Sequence, residues 1–288
     1  MHRTTTITLL LLCLLAGCSR HEGLNEENAA YYWRTEWRLD STEQAFLAQH
    51  DIRKIYLRYF DVVMENGEPT PNATLTFAQP VTRRQKIVPT VYITEDCMHH
   101  HWPALAHRLV ERISQMNETN GVAGVDELQI DCDYTSRSRT IYYRFLDSVR
   151  QEARHHGMHL STTIRLHQLQ MPAPSADYGV LMLYNTGDPR RFTERNPVLD
   201  LRDVRPYLRH LANYPLPLAA AYPVYCWQRQ IYGVRIDHVV GANELLSVKE
   251  AVEQKRPSLA GTIIVYHLDK ENIIRYSSET YEEIFRHH

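Results

Sequence analysis

Hydrophobic and polar positions along the chain change period many times between residue 30 and the end. Short apolar or alternating runs rich in β-branched and aromatic residues predict strands over 30–37, 54–63, 86–94, 127–134, 159–166, 178–185, 216–225 and 261–268. Helical spacing fills several of the gaps: 41–50, where Ser41 and Gln44 are spaced as a capping box, then 102–117, 139–156 and 201–213, with a closing helix over 277–288. Eight β/α alternations in one domain favour a TIM-type (β/α)8 barrel, an α/β fold, over an open doubly wound sheet. No glycine-rich phosphate loop follows the first strand, which points the same way. Two longer connections, 64–85 and 227–258, fall on the face that carries the strands' carboxyl ends, where long loops shape a substrate cleft. Within the second, 231–240 reads either as a hairpin or as a true barrel strand, which would displace one of the eight.

The first residues have another character. His2 and Arg3 precede an apolar run over 7–15, and Leu15-Ala16-Gly17 lead into Cys18. The run is too short to span a bilayer. Small residues before a cysteine are what a lipoprotein signal peptidase requires, so 1–17 is read as a lipoprotein signal peptide and Cys18 as the lipidated N-terminus; an ordinary secretory signal is the lesser alternative. Residues 18–29 then form a polar tether and 30–288 the barrel domain, lipid-anchored in a bacterial cell envelope at the outer membrane or periplasmic face. Of the remaining cysteines, Cys97 and Cys226 could pair and Cys132 sits mid-strand; an odd number cannot all pair, and no structural disulfide is assumed.

Composition narrows the function. The 288 residues are 43% hydrophobic and 23% charged, enough apolar material for a large core. A formal net charge of −2 gives no electrostatic basis for a nucleic-acid partner. Nothing in the sequence calls for a cofactor.

The chemistry concentrates in Asp126-Glu127-Leu128-Gln129-Ile130-Asp131-Cys132-Asp133. Side chains alternate across a strand, so Gln129, Asp131 and Asp133 share one face and Leu128, Ile130 and Cys132 the other. The apolar set meets the helices and the acids enter the barrel. Burying two neighbouring carboxylates costs several kcal/mol unless they are paired. A catalytic pair at the end of strand four is set against an acidic pair bridged to Arg58 or Arg165, which strands two and five supply.

This segment resembles glycoside hydrolase family 18, the chitinase-like barrels, whose fourth strand carries Asp-Gly-x-Asp-x-Asp-x-Glu. Asp126, Gln129 and Asp131 fall on its three aspartates and Asp133 on its catalytic glutamate. Met182-Leu183-Tyr184-Asn185 stands where the family has Met-x-Tyr-Asp, and Ile264-Val265-Tyr266 where an apolar strand ends in tryptophan. The chain also resembles an uncharacterised bacterial family of barrel-like lipoproteins through Tyr32-Trp33-Arg34, the Ile-Asp-x-Asp strand and Leu160-Ser161-Thr162-Thr163.

The chitinase-like resemblance implies substrate-assisted hydrolysis of an N-acetylhexosamine-containing glycan. Asp133 would be the general acid/base, Asp131 would orient the acetamide, and Tyr184 with Asn185 would hydrogen-bond it. The resemblance is degenerate: aspartate for glutamate shortens the acid by one methylene and Asn185 removes a charge. A catalytically inactive carbohydrate-binding lipoprotein is the rival reading.

Aromatic residues near strand ends suit stacking on sugar faces. Trp33, Trp37, Trp102, Tyr184, Tyr222, Tyr225, Trp227 and Tyr266 are the candidates, with Tyr225 and Trp227 foremost and core packing the alternative for each. Arg165 is a further ligand candidate, Gln129 another. Asp61, Glu95, Asp237 and Asp269 are possible second carboxylates for a two-acid glycosidase. His99-His100-His101 beside Cys97 reads as a solvated helix start; no spacing elsewhere completes a zinc site.

Overall fold

The computed structural model describes residues 26–188, 195–231 and 234–287. Eight parallel strands close into a barrel: β1 (Glu27–Tyr32), β2 (Lys54–Glu65), β3 (Lys86–Ile93), β4 (Glu127–Cys132), β5 (His159–Arg165), β6 (Tyr178–Met182), β7 (Leu218–Pro223) and β8 (Thr262–Tyr266). Each pairs with its neighbours in sequence, and β1 pairs with both β2 and β8, which removes every edge. All eight expected strands are present. The helices are α1 (Ser41–Gln49), α2 (Leu105–Asn120), α3 (Arg139–His155), α4 (Ala242–Lys255) and α5 (Ser278–Ile284).

Several boundaries move for identifiable reasons. β1 starts at Glu27, three residues earlier than the apolar pattern suggests. Glu27 donates its N–H to Gly261 O at 3.0 Å, and the Asn28 amide donates to His50 O at 2.8 Å, so polar residues assigned to the tether are strand. The expected strand over 30–37 divides. Glu36–Trp37 leaves the barrel and pairs with Thr76–Phe77. The cap of α1 lies one residue earlier than Ser41: the Asp40 carboxylate accepts from Glu43 N at 2.9 Å, and the Glu43 carboxylate accepts from Asp40 N at 3.0 Å.

The helix expected over 201–213 is broken, because Pro206 has no N–H to continue it. It forms short turns Leu201–Val204 and Leu208–Leu211 around a 3-10 turn. The connection 227–258 is not simply a loop. It holds two antiparallel strands, Trp227–Ile231 and Val234–His238, followed by α4, so the strand within 231–240 pairs outside the barrel and displaces no barrel strand. The connection 64–85 extends β2 with an antiparallel strand, Glu68–Asn72.

Two apolar layers follow from the alternation. Leu128, Ile130 and Cys132 face the helices in the large outer core, while a smaller cluster fills the barrel with Tyr31, Tyr56, Tyr178, Val180 and Tyr184 against Ala219 and Ala221. Large rings on some strands are matched by alanines on β7. Among the described residues no helix is long and apolar enough to cross a membrane. Residues 1–17 and Cys18 lie outside the described residues.

Candidate functional site

Inward positions on β4 form successive floors of the barrel. At the bottom, Glu127 accepts from Lys54 Nζ at 2.8 Å and from Ser161 Oγ at 2.6 Å. One floor up, Gln129 Oε1 accepts from the Tyr31 hydroxyl at 2.7 Å, and its amide lies 3.3 Å from Ser161 Oγ. Asp131 comes next, buried, its Oδ1 accepting from Thr163 Oγ1 at 2.6 Å. Asp133 stands just past the strand end with half of its side chain exposed.

Arg165, at the end of β5, joins the two acids. Its Nε donates to Asp133 Oδ1, and a terminal nitrogen lies 3.6 Å from Asp131 Oδ1. The Arg165 side chain is 17% exposed, so the pairing acts where water screens it poorly. Burial pushes the Asp131 carboxyl above its ordinary range and the charge of Asp133 adds to this, against the pull of Arg165. Gln168, fully buried, holds the two strand ends in place: its Oε1 accepts from Arg165 N at 2.8 Å and its Nε2 donates to Tyr134 O at 3.0 Å.

The aromatic residues at the mouth form a connected wall. Tyr184 and Tyr266 stack at 4.4 Å and 21°, and Tyr225 stands edge-on to both, at 6.2 and 5.6 Å. Trp33 lies 5.8 Å from Tyr266. Asn185 takes a left-handed conformation (φ 53°), which asparagine tolerates better than most residues, and its Oδ1 accepts from the Tyr225 hydroxyl at 2.5 Å. The Tyr184 hydroxyl is buried and has no hydrogen-bond partner. A pocket of about 260 Å³ opens here, lined among others by Asp133, Arg165, His167, Tyr184, Asn185 and Tyr207.

The structure thus brings Asp131, Asp133, Arg165, Tyr184, Asn185, Tyr225, Tyr266 and Trp33 to one end of the barrel. Gln129 does not belong with them: it lies a floor below Asp131, fully buried with both ends of its amide bonded, out of a ligand's reach. Trp227 also stands apart. It is the first residue of the strand Trp227–Ile231, packs on the outer core and faces His238 at 5.9 Å. Tyr222 and Trp37 are fully buried in the outer core, and the Trp102 indole donates to Cys97 O at 2.8 Å.

Arg58 does not reach the β4 acids. A bulge in β2 between Arg58 and Phe60 shifts the alternation, so Asp61 joins Arg58 on the inward face and takes its guanidinium. The other proposed second carboxylates are engaged as well. Glu95 accepts from Thr135 and Ser138, Asp237 pairs with Arg235, and Asp269 caps the turn Lys270–Ile273. Among the described residues no group of histidine, cysteine and carboxylate side chains could hold a metal ion. Cys97, Cys132 and Cys226 are free thiols.

Thr163 and Gln168 escape a reading based on acids and aromatics. The alternation of β5 could have found Thr163, two residues before Arg165; Gln168 lies in a turn without such a signal.

No protein-family model matches the chain, and no curated protein matches it at a significant level. Solved structures do. A chitinase from Chromobacterium violaceum superposes with a TM-score of 0.59 at 12% identity, covering 90% of this chain and 98% of that one. The spore cortex-lytic enzyme SleL of Bacillus megaterium gives 0.57 at 11%, over 92% and 75%. The second catalytic domain of a group II chitinase from Ostrinia furnacalis, crystallised with a chitin oligosaccharide, gives 0.53 at 11%, over 90% and 95%. The chain therefore has the fold of the chitinase-like glycoside hydrolases.

Proposed function

We propose that the barrel mouth binds an N-acetylhexosamine-containing glycan, and that in the form described it holds the glycan without cleaving it. The single observation that carries this reading is Arg165 on both acids. A general acid must present a proton to the glycosidic oxygen. A carboxylate oxygen that accepts a guanidinium N–H occupies the opposite role, and Asp133 is also one methylene shorter than glutamate. Binding draws support from the aromatic wall and from the pocket that Tyr184 and Asn185 line beside it. Cys18, lipidated, would keep the protein on a bacterial cell envelope.

Hydrolysis is kept as a second reading because Asp133 is half exposed in the same pocket as Tyr184 and Asn185. It would use Asp133 as acid/base and Asp131 to orient the acetamide. The test is calorimetry and product analysis with N-acetylglucosamine oligosaccharides on wild type and Asp133→Asn. Binding in both with no product in either supports capture. Product from wild type that Asp133→Asn abolishes establishes hydrolysis instead, and no binding by either protein rejects both readings.

A further inference from the structure

The chain leaves the barrel at the end opposite the pocket. Asp133, Arg165, Tyr184 and Tyr266 all lie at or beyond the carboxyl ends of their strands, whereas Glu27 is the first residue of β1, at the amino ends. The surroundings of that exit are built from charged side chains. The Glu27 carboxylate sits 3.6 Å from Lys54 Nζ and 3.7 Å from Lys86 Nζ. Lys86 N donates to Arg53 O at 2.8 Å, which draws the start of β3 against the start of β2. Immediately before Lys86 runs a tight turn, closed by Gln85 N to Thr82 O at 3.0 Å and by Thr82 N to Gln85 Oε1 at 2.9 Å. Arg83 and Arg84 form its exposed tip.

Of the acids at this end, Glu26 and Asp126 are exposed, and those beside the turn are committed. Asp51 pairs with Arg53 at 2.9 Å, Glu27 is shared between the two lysines, and Glu127 takes Lys54 from inside the barrel. Among the described residues Arg83 and Arg84 have no ion pair, although each carries a guanidinium shaped for phosphate oxygens. Only the eight residues 19–26 separate Cys18 from the strand, a reach of at most about 32 Å even when fully extended. A lipid on Cys18 would therefore hold this turn close to headgroups, where each arginine gains from an anionic surface within a Debye length.

We infer that the amino-terminal face of the barrel, through Arg83 and Arg84 beside the chain exit, docks on the anionic phospholipid surface that anchors the protein and turns the glycan pocket away from the membrane. The inference rests on lipidation of Cys18 and is independent of whether the pocket cleaves or only holds its ligand.

The test uses the full-length lipidated protein in liposomes, with the lipid on Cys18 confirmed by mass. Hydrogen exchange is compared between vesicles of phosphatidylcholine alone and vesicles that also contain phosphatidylglycerol. The expected result is slower exchange at the turn 82–86 on the anionic vesicles, with exchange at 183–187 unchanged. Arg83→Glu together with Arg84→Glu removes that protection and leaves 183–187 as before; both side chains are solvent-exposed, so the fold survives the change. Protection at 183–187 in place of 82–86, equal exchange on both lipids, protection that persists in the double variant, or an unlipidated Cys18 would each overturn the inference.

Discussion

The lower and upper floors of the barrel interior each combine acids, a base and tyrosines and treat them differently. Below, a buried lysine, a glutamate, a glutamine, serine and three tyrosines bond to one another: Lys54 reaches Glu127 and Tyr178, Tyr178 meets Tyr56, and Tyr31 meets Gln129. Above, two carboxylates share one arginine, one of them half in solvent, and a tyrosine hydroxyl has nothing to bond. A polar network in which every member is satisfied makes a rigid floor; one with spare capacity beside an open pocket is poised for a ligand. Within the barrel interior the unpaired hydroxyl and the half-exposed acid both lie at the carboxyl end, beside the pocket.

The hardest way to break the comparison is to unbalance the lower floor. Glu127→Gln takes away the negative charge 2.8 Å from the Lys54 ammonium in a nearly dry environment. Losing one side of a buried pair costs about 3 to 5 kcal/mol, and the lower end applies because Glu27 remains 3.6 Å away. Urea denaturation should show a loss near 3 kcal/mol; a loss under 1 kcal/mol would mean that this floor is wetter than its geometry implies. Tyr31→Phe is the next strongest. It strands the buried Gln129 carbonyl, at a cost of about 1 to 3 kcal/mol in the same measurement, and leaves glycan affinity nearly unchanged.

The two ends were also unequally legible in the sequence. Alternation in 127–133 placed Gln129 and Asp131 inside and Leu128, Ile130 and Cys132 outside, because a period of two survives whatever the neighbouring strands do. The same logic does not carry past Arg58, since one extra residue in β2 reverses the face of everything beyond it and brings Asp61 onto that arginine, and local composition does not announce a bulge. Trp227 was misplaced for another reason: a tryptophan leading into a long connection looks alike whether the chain next enters a cleft or turns into a hairpin. Helix 242–255 was hidden inside an apparent loop, whereas Pro206 disrupted a pattern that had looked helical throughout. That Arg165 would cover both acids was visible only as one of two options, because a sequence does not give distances between strands.

A smaller effect, in the pH dependence of stability, sharpens the upper floor. Burial raises the Asp131 carboxyl above its unfolded value. An acid that holds its proton more tightly when folded adds most stability below its unfolded pKa, near 4, and that contribution fades as pH climbs to the folded pKa, then stays level. Urea midpoints of wild type should therefore fall over that interval relative to Asp131→Asn, which has no such proton to lose and keeps Arg165 on Asp133. Parallel profiles for the two proteins would show that Arg165 fully offsets burial.

The smallest expected change in stability is the most informative about function, because it sets two tyrosines of one barrel against each other. Tyr31 and Tyr184 are both buried inside the barrel, but the first donates to Gln129 and the second to nothing. Removing the Tyr184 hydroxyl takes away a desolvated group and no hydrogen bond, so Tyr184→Phe should leave stability unchanged or slightly raised, opposite in sign to Tyr31→Phe. If that hydroxyl waits for a sugar, the same variant loses the bond made on binding, about 1 kcal/mol or roughly fivefold in Kd for N-acetylglucosamine oligosaccharides. Calorimetric titration of the two variants beside wild type separates the cases. Weaker binding confined to Tyr184→Phe places the ligand at the mouth, whereas equal affinities in all three proteins would assign the unpaired hydroxyl to an imperfection of packing and leave the pocket without its best recognition group.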